Sequence, residues 1–525
     1  MDLLQDFPDI EFVLALHEGV AVAMADAYAR LTDRPAFVEV HIAPGLGNAI
    51  GMLHNARVGR TPLVVYAGQA ESRALFMEPH LSGQLVEMAR PVCKWAAQIE
   101  HAADVPAAMR RAFKVADEPP RGPVFLSLPM DVLDETAEMT IAPTSFTRWR
   151  SRPDSAAIKE AAELLLRAER PMILAGDGVG ISGGQAELVD VAELLGAAIF
   201  EVYASEFNVP ATHPLNLGGL DFLRPDEIRK NLAGCDVLLT AGAPVFQVVF
   251  PDPDRPMIGP NTRLVQIDAD PWQISRNRPA DVGLLADPKA ALADLGEELS
   301  RQRTGSQAAA AAERSAAIGR RTQQLADGFW EAARRRWDAE PITPARLTSE
   351  LKAALPPNSL VFTEPGTSQV AVQRAFAPDG PGQLLRVRGG GIGEGLPGAV
   401  GAQLACPDRK VIGLCSDGSS MYSITALWSA AHHRVPLTWV MLNNASYRVL
   451  KLNVLDYLGE RAAGRKFVAM DLTDPDLRFD RMAESMGVPA WRVTRPDDLA
   501  PVLKEALAEG PSLVDVVIDG AVPTA

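Results

Sequence analysis

Two short motifs in the last third of the chain carry residue types suited to holding a metal ion and a phosphate. "CSDGSS" follows the apolar run "KVIGL", and "NNAS" follows "LTWVML". Asp417 and Asn444 lie 27 residues apart (444 − 417), about the length of one strand–helix–strand crossover. Two neighbouring strand ends would then set the Asp417 carboxylate beside the Asn444 amide oxygen. Hard oxygen ligands with a diphosphate suit Mg2+, which takes few protein ligands and fills its octahedron with phosphate and water oxygens. Gly418 and Ser419 would offer backbone N–H groups to phosphate where the next helix starts. The alternative is a pair of ordinary turns, since DG and NN are common turn dipeptides.

A carboxylate near the start of the chain raises a second question. In "LHEGVAVAMADAYAR", residues 16–30, ten of the twelve residues from Gly19 to Arg30 are Gly, Ala, Val, Met or Tyr. A helix apolar on nearly every side is a buried one, and Glu18 stands at its entrance. An apolar setting raises a carboxyl pKa and lets the group hold a proton near neutrality. The other reading is a helix N-cap or a first-turn acid favoured by the helix dipole. His41 follows the run "AFVEV" and precedes the turn "APGLGN", as a structural strand-end histidine or as a proton carrier. "RVRGGGIGEGLPG" contains a formal GxGxxG from Gly393 to Gly398, which on pattern alone reads as a dinucleotide fingerprint.

These residues need a frame of strands and helices, and three α/β blocks supply it. The first, 1–150, has strand candidates "AFVEVHI", "PLVVYAG" and "GPVFLSLP" between helical runs. The second, 151–335, has "PMILAGDGVG", "AAIFEVY", "DVLLTAGAPV" and "RLVQIDADP", then a surface helix rich in Ala and Arg. The third, 336–525, has "SLVFTEPG", "KVIGLCSDGSS", "LTWVMLNNASY" and "SLVDVVID". Apolar strands alternating with helices predict parallel sheets, and ligands gather at the carboxyl ends of such strands. The fold expected is α/β, with three doubly wound parallel-sheet domains.

Bulk composition narrows the partners. The 525 residues are 47% hydrophobic and 22% charged, with a net charge of −15, against a nucleic-acid footprint. The four cysteines form no CxxC, so neither a disulfide framework nor a zinc site is expected. A reducing, cytoplasmic setting fits. No stretch reaches the ~18 uninterrupted apolar residues of a membrane span.

"DGSSMYSITALWSAAHHRVPLTWVMLNNASY" resembles the metal and diphosphate motif of thiamine-diphosphate (ThDP) enzymes, with Ser416 in place of the first glycine of a GDG pattern. Across nearly the whole chain the resemblance is to 2-oxo acid decarboxylases and acetolactate synthases. It is nearest to benzoylformate decarboxylases, through "RPAFVEVHIAPGLGNAIGMLHNA", "GPVFLSLPMDV", "AGAPVF" and "GGIGEGLPGAVGAQLA". It implies pyrimidine-binding, middle and diphosphate-binding domains, with Asp417, Asn444 and the Ser446 carbonyl on Mg2+. Gly366, Thr367, Gly418, Ser419 and Tyr447 would lie along the cofactor. The Gly390 carbonyl would accept from the 4′-amino group, and Ile392 would support the cofactor's V shape. Glu18 would contact N1′ of the aminopyrimidine, and His41 would handle protons of bound intermediates. His80, Arg386, Val449 and Leu450 would line the substrate pocket. The activity implied is non-oxidative decarboxylation of a 2-oxo acid to an aldehyde, in a homodimer or homotetramer whose sites join two subunits.

The chain departs from this pattern in places. Val249, in "APVFQVVF", stands where the decarboxylases carry a second histidine. Arg386 and Asn453 replace aromatic pocket residues, and an arginine suits a carboxylate-bearing substrate or points to solvent. Only 17 residues precede Glu18, where relatives place a further strand, helix and "GNPGS"-like loop; a truncated first domain with an exposed sheet edge is the expectation. Two alternatives stay open: an acetolactate-synthase-like carboligase, and a catalytically impaired ThDP-binding homologue. "AGDGVG" at 175–180 leaves FAD possible but not favoured.

Overall fold

The computed structural model describes residues 2–146 and 150–522. Three parallel sheets carry the fold, in two compact units. One unit comprises Met1–Phe146, Glu340–Ser368 and Val387–Ala525; the other comprises Thr147–Ala339 with Gln369–Arg386.

The first unit holds two sheets. β1 (Ala36–Val40), β2 (Leu63–Gln69), β3 (Trp95–Gln98) and β4 (Val124–Pro129) pair in the order β1-β2-β4-β3, all parallel. Strands buried on both faces read as continuous apolar runs, and every residue of β4 is buried.

The second unit holds β5 (Pro171–Ala175), β6 (Ala198–Glu201), β7 (Asn216–Gly219), β8 (Val237–Ala241), β9 (Arg263–Asp268) and β10 (Val282–Leu285). Their order is β10-β9-β8-β5-β6-β7. The glycines of "AGDGVG" are consumed by packing in this unit. A Cβ on Gly176 would lie 2.5 Å from the Ala243 Cα, and one on Gly178 would lie 2.6 Å from the Gly242 Cα. Two strand-end backbones meet there, so these glycines serve the protein's own close approach. The Ala- and Arg-rich segment is the helix Gly305–Arg335, begun by a Thr304–Gln307 capping box and largely exposed. The short strand β12 (Leu384–Arg386) falls in this unit's second stretch of chain.

The remaining strands belong to the first unit. β11 (Leu360–Glu364), β13 (Val411–Ser416), β14 (Thr438–Asn443), β15 (Ala490–Val493) and β16 (Ser512–Val517) run β11-β13-β14-β16-β15. All four pairings are parallel. β13 and β14 are therefore neighbours, as the 27-residue spacing predicts, with Ser416 opposite Leu442.

The two sheets of the first unit are joined through a helix pair. Helix Glu18–Thr32 packs on helix Gly395–Ala405, which is buried from Gly395 to Gln403. A Cβ on Gly401 would land on the Met24 carbonyl oxygen. Contact at this distance needs hydrogen at that position, and a side chain there forces the helices apart. Substituting Gly401→Ala should destabilise this unit by about 3 kcal/mol, outweighing the ~1 kcal/mol that alanine gains as a helix former. A lower urea midpoint with an unchanged m-value checks this.

Candidate active site

The carboxyl ends of β13 and β14 build the centre of the site. Asp417 is the first residue after β13 and is 2% exposed. Its Oδ1 accepts from the Gly418 N–H at 2.8 Å. Its Oδ2 is buried and has no hydrogen-bond partner. Burial raises the Asp417 pKa to about 6, against the opposing pull of the backbone N–H groups of Gly418, Ala445, Ser446 and Asn444. Those N–H groups place the 444–446 loop around the carboxylate.

The loop itself is preset by its side chains. The Asn444 Oδ1 accepts from the Ser446 N–H at 3.0 Å, and Ser446 Oγ donates to the Met470 carbonyl at 3.0 Å. Ala445 sits at φ 53, a left-handed turn residue. Asn443, the last residue of β14, donates to Asp515 Oδ1 at 2.9 Å and accepts from the Ala445 N–H. Asp515 is in turn paired with Arg492. Tyr447 packs its ring against Gly418, where a Cβ would lie 2.5 Å from the ring. Ser416, the departure from the GDG pattern, hydrogen-bonds through Oγ to Ser419 Oγ at 2.9 Å. Gly366 has φ 53, and a Cβ there would stand 3.5 Å from the Ser416 hydroxyl. Thr367 is half-buried beside it.

A glycine-rich loop crosses the same unit between Arg388 and Gly395. Gly390 is exposed at φ 90, and Ile392 is 38% exposed. Three buried polar side chains tether the loop, none of them singled out by the sequence motifs. Asn55 bonds both polar atoms of Gly391. Glu364 Oε1 and Oε2 accept from the Gly393 and Gly395 N–H groups at 2.9 and 2.7 Å. Glu394 Oε2 accepts from the Asn55 amide at 3.1 Å and the Arg388 N–H at 3.2 Å. Their one sequence signal is position: Glu364 closes an apolar strand, and Glu394 interrupts a run of glycines. The formal GxGxxG is thus a set of contact glycines; Gly395 abuts Glu364, and Gly398 abuts the Phe362 ring.

Glu18 opens its helix as expected, and the N-cap is His17, whose Nδ1 accepts from the Gly19 N–H at 3.1 Å. Glu18 therefore does not cap the helix. It is half-buried, faces Gly45, where a Cβ would lie 2.5 Å from Oε1, and accepts from Asn48 Nδ2 at 3.0 Å. His41 occupies the N-cap position of helix Ile42–Val58 but makes no side-chain capping bond, and it is exposed. His80 is also exposed; Val449 and Asn453 are half-buried and Leu450 is 44% exposed on helix Arg448–Leu458. Arg386 lies in the other unit, where burial lowers its pKa and the carboxylates of Glu201 and Asp177 pull it back up. Val249 is half exposed in that unit.

Profiles of the thiamine pyrophosphate enzymes match the chain three times: the N-terminal TPP binding domain over residues 1–85, the central domain over 158–295 and the C-terminal TPP binding domain over 364–516. Benzoylformate decarboxylase of Pseudomonas aeruginosa is 33% identical across 98% of this chain and 93% of its own. The chain belongs to the thiamine pyrophosphate enzyme family. Acetolactate synthase isozyme 3 large subunit of Escherichia coli is 28% identical, covering 99% of this chain and 90% of the relative. The solved 4-hydroxybenzoylformate decarboxylase of Rhodococcus jostii RHA1 superposes with a TM-score of 0.82 at 29% identity, covering 97% of this chain and 92% of that one. Benzoylformate decarboxylase from Polynucleobacter necessarius gives 0.84 at 27%, covering 99% and 94%. This thiamine pyrophosphate enzyme is a ThDP-dependent decarboxylase or carboligase. Among its described residues no helix is long and apolar enough to cross a membrane.

Glu394 gives a pH dependence that can be measured. It is 1% exposed, and burial, then Asp26, raise its pKa to about 8 despite Arg30 at 3.8 Å. A folded pKa above the unfolded ~4.3 favours the folded state at low pH. That contribution is lost as pH rises through about 8. The variant Glu394→Gln keeps an acceptor for Asn55 and cannot ionise. It should melt several degrees above the unsubstituted protein at pH 9, with the gap closing toward pH 5, as thermal unfolding across that range will show.

Proposed function

We propose that this enzyme decarboxylates a 2-oxo acid non-oxidatively to an aldehyde, using ThDP and Mg2+. The observation that carries the metal assignment is the buried Asp417 Oδ2 without a partner. An open carboxylate oxygen away from water costs about 1–3 kcal/mol, and a divalent cation removes that cost. Asp417, the Asn444 side-chain oxygen and the Ser446 carbonyl form a hard-oxygen set of the kind Mg2+ takes. Gly366, Thr367, Gly418 and Ser419 border it and would hold the diphosphate, with Tyr447 alongside. The Gly390 carbonyl and Ile392 would receive the aminopyrimidine end, and Glu18 would hold a proton at its ring nitrogen.

ThDP supplies an electron sink for the pair left when carbon dioxide departs. The chain's own residues position that chemistry and move protons. His41, free of a capping bond, would deliver a proton to the product carbon, and His80, Val449 and Leu450 would border the substrate. A homodimer or homotetramer with sites shared between subunits fits the apolar residues left exposed on the first unit, among them Phe7, Ile10, Leu16, Phe76 and Met77. The four cysteines, none in a disulfide, go with a reducing, cytoplasmic setting.

A second reading, carboligation of two carbonyl substrates, is favoured by Val249. A valine cannot donate a proton where the decarboxylases place a second histidine. Slower protonation leaves more time for a second carbonyl to be captured.

A panel of 2-oxo acids with ThDP and Mg2+, assayed for aldehyde and for acyloin, tests both readings. Aldehyde as the main product supports decarboxylation, and acyloin as the main product overturns it in favour of carboligation. Glu18→Gln and His41→Ala should each lower kcat about 10²–10⁴-fold. Asp417→Ala should abolish Mg2+-dependent ThDP binding. Mixing the Glu18→Gln and Asp417→Ala proteins under subunit exchange should restore about a quarter of activity, the statistical share for random dimers. No recovery would mean that the two residues serve one site within a subunit.

A further inference from the structure

The loop from Gly389 to Gly393 alternates between tethered and open residues. A Cβ on Gly389 would fall on the Asn55 Cα. The Gly391 N–H donates to Asn55 Oδ1 at 2.9 Å, and its carbonyl accepts from Asn55 Nδ2 at 2.8 Å. The Gly393 N–H donates to Glu364. Between them, Gly390 and Ile392 are exposed, and a Cβ on Gly390 would meet nothing within 4 Å.

Peptide planarity turns this tether into a directional constraint. In a trans peptide the N–H and the preceding C=O point to opposite sides. Fixing the Gly391 N–H on Asn55 therefore aims the Gly390 carbonyl away from Asn55, toward the open side. Fixing the Gly391 carbonyl on the same amide aims the Ile392 N–H that way too. One side chain, 1% exposed, thus sets an acceptor and a donor next to each other on the free face. Asn55 is itself held by Glu394 Oε2 at 3.1 Å.

We propose that Asn55 is a positioning residue, whose amide orients the Gly390 carbonyl and Ile392 N–H toward the aminopyrimidine of the cofactor. This rests on the ThDP reading above. Asn55 touches neither cofactor nor substrate in this role and acts only through two peptide planes.

The test uses the full-length protein loaded with ThDP and Mg2+. Four proteins are compared: unsubstituted, Asn55→Ala, Asn55→Asp, and Asn55→Asp with Glu394→Gln. The readouts are ThDP affinity, the near-ultraviolet circular dichroism of the bound aminopyrimidine, and the rate of C2 proton exchange by NMR after acid quench. kcat and KM are measured with the best 2-oxo acid. In N55A, C2 exchange and kcat should both fall about 100-fold, as a misplacement near 1 Å can do. The dichroic band should change, while KM stays within about twofold and the melting temperature within a few degrees. N55D loses both donated bonds and sets two carboxylates against each other. In the double variant the Gln amide donates to the new carboxylate, and exchange should recover at least tenfold over N55D. That pair of variants decides the question should N55A fail to fold. Exchange in N55A within twofold of the unsubstituted protein, or no gain in the double variant, overturns the positioning role and leaves the ThDP reading standing. An unsubstituted protein that fails to bind ThDP saturably overturns both.

Discussion

The close crossing of helix Glu18–Thr32 on helix Gly395–Ala405 is the contact on which the first unit depends. It joins two separate parallel sheets, and it works only because Gly401 has no side chain to place against the Met24 carbonyl. Each helix begins at a segment that the proposed function assigns to the cofactor. Glu18 is the first residue of one, and the loop from Gly389 to Glu394 leads into the other. The apolar run after Glu18 is therefore chiefly a packing surface: Gly19, Val20, Val22, Ala23, Met24, Ala27 and Ala29 are buried. A segment that looked like a housing for one carboxylate is the axle of the unit, with the carboxylate at its end.

Glu364, Glu394 and Asp417 are three of the six buried carboxylates described in this unit, and their hydrogen bonds tell them apart. Glu364 has both oxygens bonded to backbone N–H groups and shapes a loop. Glu394 has one oxygen bonded and Arg30 near the other; burial and Asp26 push it toward the protonated form. Asp417 has one oxygen bonded and the other bare. Its principal neighbours are backbone dipoles. Of these three, Asp417 has an oxygen with neither a hydrogen-bond partner nor an ion pair among the described residues, whereas the oxygens of the other two have neighbours that the fold already supplies.

Much of this frame was legible in the sequence, and the misses share a cause. Eleven strand segments read from apolar runs are strands in the structure, and the Asp417–Asn444 spacing correctly places β13 beside β14. The strands that no apolar run announced are β3, β7, β10, β12 and β15, each three or four residues long, and β3, β7, β10 and β15 each lie at a sheet edge. An edge strand packs less apolar surface and tolerates polar or glycine residues, so "NLGG" carries no strand signature. The tethers Asn55, Glu364 and Glu394 were illegible for a different reason. Most of their partners are backbone atoms, and Asn55 lies 336 residues from Gly391. No local spacing encodes a bond of that separation.

Glycine is the recurring device because two backbone surfaces must touch without side chains between them. That need has two distinct uses here, and sequence pattern cannot separate them. Gly176 and Gly178 let a strand end lie on Gly242 and Ala243, and the resulting contact is closed to any ligand. Gly390 does the reverse: its positive φ turns the chain outward, and the space beside it is empty. A count of clustered glycines treats both kinds alike. The separation comes from asking what a Cβ would meet. Backbone within 3 Å marks a glycine spent on the fold, and open space beside a strained φ marks one kept for something else to approach. By that criterion Gly176 and Gly178 are spent on the fold, whereas Gly390 is among the glycines left open.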